Sequence, residues 1–332
     1  MVNIALLPLS AIFAAAAFCR RTLYRSGILR SITAAAPVVV VGNIVAGGGG
    51  KTPIVIALTV ALRQRGMNPG VVVRPVGAIA QGKKSNIIRV RHDSDWQQCG
   101  DEALLIHQRT GAPVSVSKKR GLAAQQLALD GCDIVICDDG LQHSALNRNL
   151  EICAIQGDFG IGNGWLLPAG PLRESPRRLR QCDWLAIHGD AHTADDFAAR
   201  HGLPNRVQWA AITTVSDGFY APSAPQQIIS AEDFARQYND KKIAAIAGIA
   251  APNRFFASLR KLSICLHRIY PLPDHKRMPP DDFAAITADI IIMTEKDAVK
   301  YPSADKRIRV LRIHAEVPPN LTDAAAKLAR ER

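Results

Sequence analysis

Gly47-Gly48-Gly49-Gly50-Lys51-Thr52 is the stretch of this sequence best equipped for chemistry. Consecutive glycines let backbone N–H groups close around phosphate oxygens, a lysine there reaches the β- and γ-phosphates, and a threonine hydroxyl next to it suits magnesium. The run follows the β-branched Val38 to Val41 and precedes the helix-like Ile54 to Arg65. Strand, glycine loop and helix in that order make a P-loop, with phosphate at the positive end of the helix dipole. A flexible glycine linker would lack both flanks. One irregularity stands out: Val45 occupies the place where the strict G-x4-G-K-[ST] pattern has its first glycine.

Carboxylates form the second set. Asp138-Asp139 close the apolar run Asp133 to Cys137, the position at which P-loop proteins place the acid that holds magnesium directly or through water. Paired acids after a strand can also simply cap a helix. Asp101 and Glu102 open a predicted helix and would complement its dipole; a carboxylate is equally what an alcohol acceptor needs to lose its proton. His275 lies in the loop Leu272-Pro-Asp-His275 beside Asp274, and Arg173-Glu174 follow a loop dense in glycine and proline. From spacing alone, these could be surface charges.

The elements that must position these groups alternate. Strands are predicted at Val38–Val41, Gly70–Val73, Pro113–Val116, Asp133–Cys137, Ile152–Ile155 and Trp184–Ile187, with helices at Ile54–Gln64, Ala103–Thr110 and Gly121–Leu129, and a hairpin around Asn86 to Arg91. Short apolar runs broken by helical segments indicate an α/β fold with a mainly parallel sheet. Two short strands, Val207–Ile212 and Gly218–Tyr220, precede Ala221 to Pro225 and are read as a hinge. Beyond it, helices at Ala231–Tyr238, Arg254–Leu262 and Asp281–Ala288 alternate with strands at Ile243–Ala247, His267–Tyr270, Ile290–Met293 and Ile308–Ile313. The domain reading is an amino-terminal hydrophobic helix (1–26), a P-loop domain (27–205), a linker (206–225) and a second α/β domain (226–332).

The 332 residues carry a net charge of +12, from 41 Lys and Arg against 29 Asp and Glu, which calls for an anionic partner. Aromatic residues make up only 5%, too few for base-stacking platforms, and no recognition helix is visible, so nucleic acid is not the expected partner. The seven cysteines lack C-x-x-C spacing and several sit in apolar runs, which suits reduced core thiols rather than zinc or disulfides. Ile4 to Cys19 is uncharged and nearly all apolar, and Arg20, Arg21 and Arg25 follow it. Charge after the apolar run, not before it, argues for a retained segment with the arginines on the cytoplasmic side. The run is at the lower edge of bilayer-spanning length and contains Pro8, so spanning the membrane and lying in its interface both remain open.

Taken together, these motifs resemble the tetraacyldisaccharide 4'-kinase family, the lipid A 4'-kinases of Gram-negative bacteria. The resemblance runs from Arg20-Arg21 through Val41-Gly-Asn43, Gly50-Lys-Thr-Pro53, Gly100-Asp-Glu102, Asp138-Asp-Gly-Leu-Gln-His143, Gly162-Asn-Gly164, Leu167-Pro-Ala-Gly-Pro-Leu-Arg-Glu174, Gly248-Ile249 and Pro273-Asp-His275 to Thr294-Glu-Lys-Asp-Ala-Val-Lys300. The family loop generally lacks the first Walker glycine, which accounts for Val45. What the resemblance implies is transfer of the γ-phosphate of ATP, with Mg2+, to the 4'-hydroxyl of a phosphorylated, acylated disaccharide lipid at the cytoplasmic face of the inner membrane. By motif it implies Gly47 to Thr52 as the ATP site, Thr52, Asp138, Asp139 and Glu174 around the metal, Asp101 as proton acceptor with His275 as partner, and Arg74 and Arg120 toward the phosphorylated sugar. The implied fold is two α/β/α domains, the first P-loop NTPase-like, joined by a two-stranded linker whose closure brings His275 to Asp101. Departures from the family are Gly49 in place of threonine, Arg74-Pro-Val-Gly77 in place of Arg-Gly-Tyr-Gly, and Gln156 where aspartate is usual.

The alternative is a membrane-associated P-loop ATPase or GTPase switch. Thr294-Glu-Lys-Asp297 has a superficial likeness to a guanine-reading run, but Glu295 replaces the asparagine and the run follows a strand of the second domain.

Overall fold

The computed structural model describes residues 4–76, 87–301 and 304–331. Gly77 and Asn86, the first residue of the expected hairpin, lie outside this range. The residues fall into two compact units, the first made of Met1–His92, Ile106–Thr213 and Ala315–Arg332, the second of Asp93–Leu105 and Thr214–His314. This division departs from a simple chain-order one. Asp101 groups with the second unit and the carboxyl-terminal helix with the first.

In the first unit a sheet runs in the order β7-β6-β1-β5-β2-β4-β3, with β1 Val38–Gly42, β2 Pro69–Val73, β3 Ile88–Val90, β4 Val114–Val116, β5 Ile134–Asp138, β6 Leu150–Gln156 and β7 Trp184–His188. All neighbours are parallel except β3, which pairs antiparallel with β4 rather than forming a hairpin within its own segment. β1, β2 and β5 are buried at every residue, as expected of parallel strands covered on both faces, which is why they read as unbroken apolar runs. Helix α1 is Leu7–Arg25 and α2 is Lys51–Gln64, with Ile54, Val55, Leu58 and Leu62 buried.

The short helices α3 (Trp96–Cys99), α4 (Asp101–Thr110) and α5 (Arg120–Leu129) come next. Helix α6, Ala191–His201, was missed by the sequence reading although Asp190 caps it, its side chain accepting from the Thr193 N–H at 2.8 Å. The two short strands expected before the hinge are one, β8 Gln208–Tyr220, whose first residues pair parallel with β7.

The second unit carries β9 Ile243–Ala247, β10 Arg268–Pro271, β11 Ile290–Thr294 and β12 Ile308–Glu316, in the order β10-β9-β11-β12 with β8 next to β12. Its helices are α7 Ala231–Gln237, α8 Pro252–Lys261, α9 Pro280–Ala284 and α10 Glu295–Ala298; α11 is Pro319–Arg330. Alternate residues of β9 and β11 feed two separate cores. Ala245, Ala247, Ile290 and Ile292 pack with Phe219, Phe234 and Phe256, whereas Ala244, Ile246, Ile291 and Met293 pack with Met278, Phe283 and Tyr301. A sheet buried on both faces is the α/β/α layering. In such sheets ligand groups collect beyond the carboxyl ends of the strands.

Among the described residues no helix is long and apolar enough to cross a membrane. α1 lies with Leu9, Ile12 and Phe18 exposed and Ser10 buried, and Pro8 is accommodated in its first turn, where no intrahelical donor is required.

Candidate active site

Parallel register places the nucleotide half. Val41 of β1 pairs with Asp138 at the end of β5, so the carboxylate arrives level with the start of the glycine loop. The Thr52 hydroxyl donates to Asp138 Oδ2 at 3.3 Å. Gly50 adopts φ +67°, and a Cβ on it would stand 2.3 Å from His188 Nε2; glycine is required there both by backbone conformation and by space. The loop is stapled from outside: the Ala46 N–H donates to Pro171 O and the Arg173 N–H to Ile44 O, both at 2.7 Å. That brings the segment containing Arg173 and Glu174 against the phosphate loop.

Asp139 follows the strand with φ +53°, a left-handed conformation uncommon outside glycine. Its carboxylate meets Lys51 Nζ at 3.3 Å, Arg173 at 3.1 Å and Arg74 at 3.8 Å. Burial pushes its pKa up, but Lys51 and Arg173 outweigh that and hold it below the usual value. Glu174, 5% exposed, accepts from Gln142 Nε2 at 2.8 Å and pairs with Arg178 at 3.5 Å and with Arg21 of α1. Gln142 also donates to Asn43 O at 2.9 Å, which links Glu174 to the residue after β1.

Of the four candidate metal residues, then, the structure brings Thr52 and Asp138 together and gives the carboxylates of Asp139 and Glu174 to cations of the same unit. No group of three or more His, Cys, Asp or Glu gathers for a metal among the described residues. A hydroxyl and one carboxylate nevertheless fit magnesium in a phosphate site, because the ion keeps several waters and takes phosphate oxygens.

Arg74 is 57% exposed. Arg120 is not: it is buried, and its Nη1 donates to the Asp139 carbonyl at 2.6 Å, so it braces the acidic turn. His143 sits among like charges; burial first, then Arg120, Arg148, Arg20 and Arg74, push its pKa down to about 4, leaving a neutral imidazole in a basic surrounding.

The second unit holds its own constellation. Asp101, 2% exposed, begins α4, and its Oδ1 accepts the Glu102 N–H at 2.9 Å. His275 Nδ1 lies 2.9 Å from the same oxygen. Both residues belong to one compact unit and are in contact within it. His275 has φ +61°, and its N–H donates to Gly248 O at 3.1 Å. Burial alone would raise the Asp101 pKa; the hydrogen bond from His275 and the charges of Lys296, His275 and Lys300 overcome it and hold the group at about 2. The same hydrogen bond raises the pKa of His275.

Sequence reasoning missed the cations here. Lys296 bridges Glu102 at 3.0 Å and Asp274 at 3.2 Å, and burial of Lys296 is outweighed by Glu102, Asp101 and Asp274, so its pKa rises. Asp297 is fully buried and paired with Lys300 at 2.8 Å. No base can reach that carboxylate, which removes the guanine-reading alternative for Thr294 to Asp297. The available signal was the Thr294 cap, whose side chain accepts from the Asp297 N–H.

A model of the family described as tetraacyldisaccharide-1-P 4'-kinase matches residues 2–330. The chain belongs to this family. Among its relatives, the tetraacyldisaccharide 4'-kinase of Methylobacillus flagellatus is 40% identical over 295 residues, covering 88% of this chain and 82% of the relative. That of Idiomarina loihiensis is 38% identical over 333 residues, covering 98% and 93%. In fold, this kinase-family chain is similar to a crystal structure of LpxK from Aquifex aeolicus in complex with ATP, with a TM-score of 0.75, 24% identity and 98% of each chain covered.

Proposed function

We propose that this chain transfers the γ-phosphate of ATP to the 4'-hydroxyl of a tetraacyldisaccharide 1-phosphate in lipid A biosynthesis. The observation that carries the reading is the 2.9 Å contact of His275 with a buried, ionised Asp101. A carboxylate held in position, with an imidazole to stabilise its charge, is what an alcohol acceptor requires.

The first unit supplies the nucleotide half. Backbone N–H groups of Gly47 to Gly50 cradle phosphate oxygens at the start of α2, and Lys51, tethered through Asp139 and 3.5 Å from Asn43 Oδ1, reaches the β- and γ-phosphates. Thr52 and Asp138 would hold Mg2+, which when bound neutralises charge on the β- and γ-phosphates. Asp139 orients Lys51 and Arg173 toward the same phosphates, and Glu174 keeps Arg178 and Gln142 in place behind the loop. Arg74 meets the phosphorylated sugar, and Arg120 acts through the Asp139 backbone.

In the second unit Asp101 accepts the 4'-hydroxyl proton as the hydroxyl oxygen attacks phosphorus and the bond to the β-phosphate oxygen breaks. His275 holds Asp101 in the productive orientation. The exposed apolar residues of α1, followed by Arg20, Arg21 and Arg25, rest on the membrane surface at the cytoplasmic face of the inner membrane, where the lipid acceptor resides.

The test is transfer of labelled γ-phosphate from ATP to purified tetraacyldisaccharide 1-phosphate in detergent. Asp101→Ala should lower turnover by about two to four orders of magnitude while ATP still binds; turnover equal to the parent would remove Asp101 as the base.

A further inference from the structure

Lys300 is the most deeply buried cation of the second unit, with no exposed side-chain surface. Its ammonium group has three donors and three oxygens around it: Asp297 Oδ1 at 2.8 Å, Lys276 O at 3.2 Å and Asp101 Oδ2 at 3.4 Å. Each neighbour comes from a different part of the dyad's support. Asp297 lies in the single turn of α10 after β11; Lys276 follows His275 in the loop after β10; Asp101 starts α4.

Asp297 is fixed in turn by the Gly248 N–H, which donates to its Oδ2 at 3.0 Å, and by the Thr294 hydroxyl at 2.7 Å. A Cβ at position 248 would lie 2.7 Å from Lys276 O and 2.9 Å from Asp297 Oδ1, so glycine is what lets the turn after β9 close over this cluster. Gly248 O receives the His275 N–H. One buried ammonium thus ties together the loop that aims His275 and the carboxylate that His275 holds.

We propose that Lys300 is a positioning residue for phosphoryl transfer: it fixes Asp101 Oδ2, which it shares with His275, while the Glu102 N–H and His275 hold Oδ1. This rests on Asp101 being the proton acceptor. Oδ1 takes the Glu102 N–H and His275 Nδ1, both at 2.9 Å, whereas the contacts of Oδ2 are longer, 3.2 Å to the same Nδ1 and 3.4 Å to Lys300 Nζ, so Oδ2 is the oxygen more open to the hydroxyl proton. The charged and titratable groups around Asp101 are Cys99 of α3, Glu102 on its own helix, Asp274 and His275 after β10, and Lys296, Asp297 and Lys300 at or just beyond α10. Lys296 is drawn to Glu102 and Asp274, which leaves Lys300 as the ammonium group that faces Oδ2, beside His275. Desolvation makes its charge count for more there than at a surface.

Lys300→Met alone would leave Asp297 buried without its counter-ion and would strain folding, so the paired variant Lys300→Met/Asp297→Asn is measured beside it. Turnover is assayed at about pH 8 and about pH 5.5 and normalised to the fraction of protein that binds ATP. The expected result for the paired variant is a kcat loss of about tenfold with KM for ATP unchanged, and of similar size at both pH values, because His275 and Lys296 still hold Asp101 as a carboxylate and only its orientation is lost.

Parent-like turnover, or a loss that appears in KM for ATP as much as in kcat, overturns the proposal and reduces Lys300 to scaffold. Asp101→Asn in the same assay separates the two readings. If it turns over like the parent, the base assignment itself is wrong; if it is inactive while the paired variant is not impaired, only the role of Lys300 fails.

Discussion

Asp101 and His275 show how much chemistry a single contact sets. The pair is stable as carboxylate and imidazolium, and the signs of the two shifts define where that matters. Asp101 is lowered from 3.8 to about 2, so its contribution to stability is present above about 3.8 and lost as pH falls toward 2. His275 is raised from 6.5, so its contribution is complete below 6.5 and lost as pH rises through its folded value. The Tm difference between the parent and His275→Ala should therefore be larger near pH 5.5 than near pH 9; an equal difference at both would show that the ion pair adds nothing. Lys51 belongs to the same scale. Lys51→Ala removes the cation that meets Asp139 at 3.3 Å and should raise KM for ATP and cut kcat together, by about tenfold or more. Unchanged steady-state constants would sink the phosphate role.

At the scale of elements, the glycine loop is defined by its neighbours as much as by its glycines. β1 and β5 in parallel register set Asp138 beside the loop, and Ile44 to Ala46 are clamped by Pro171 to Arg173. Val45 sits inside this clamp, bridged antiparallel to Leu172, so the position where the strict motif has glycine is here an extended residue in a short ladder. Gly50 has no such substitute. Gly50→Ala should destabilise the protein by about 1 kcal/mol or more and weaken ATP binding, because a Cβ would meet both an unfavourable φ and His188. Thermal denaturation with and without ATP checks this, and parent-like values would mean that the loop relaxes freely. α1 is similarly pinned by polar residues: the Ser10 hydroxyl donates to Leu166 O at 2.9 Å and accepts the Ala169 N–H at 3.0 Å, and Arg21 pairs with Glu174. Its apolar face is left uncovered.

For the whole molecule, net charge and that uncovered face point to the same environment. The chain carries +12, and anionic lipid attracts basic residues over about a Debye length. Binding to vesicles containing anionic lipid should exceed binding to neutral ones, weaken with added salt, and fall severalfold on removal of residues 1–25; partition unaffected by that truncation would show that α1 is not the attachment. The class of fold, the nucleotide loop and the acidic strand end were legible in the sequence, because parallel strands covered on both faces must be apolar throughout and phosphate loops need glycine where the backbone turns. The dyad was legible only through motif resemblance: Asp101 and His275 are 174 positions apart, and no local pattern measures such a distance. Lys300 and Asp297 were hidden for a further reason. Charged residues in a helical turn read as solvated surface, and only tertiary packing removes water from them. The burial and pairing of Arg120 and Glu174 were hidden on the same ground. Sequence by itself determined which chemical groups are available and the local conformations that carry them. Tertiary structure decided which of those groups are dry, which are paired, and hence which are left to act.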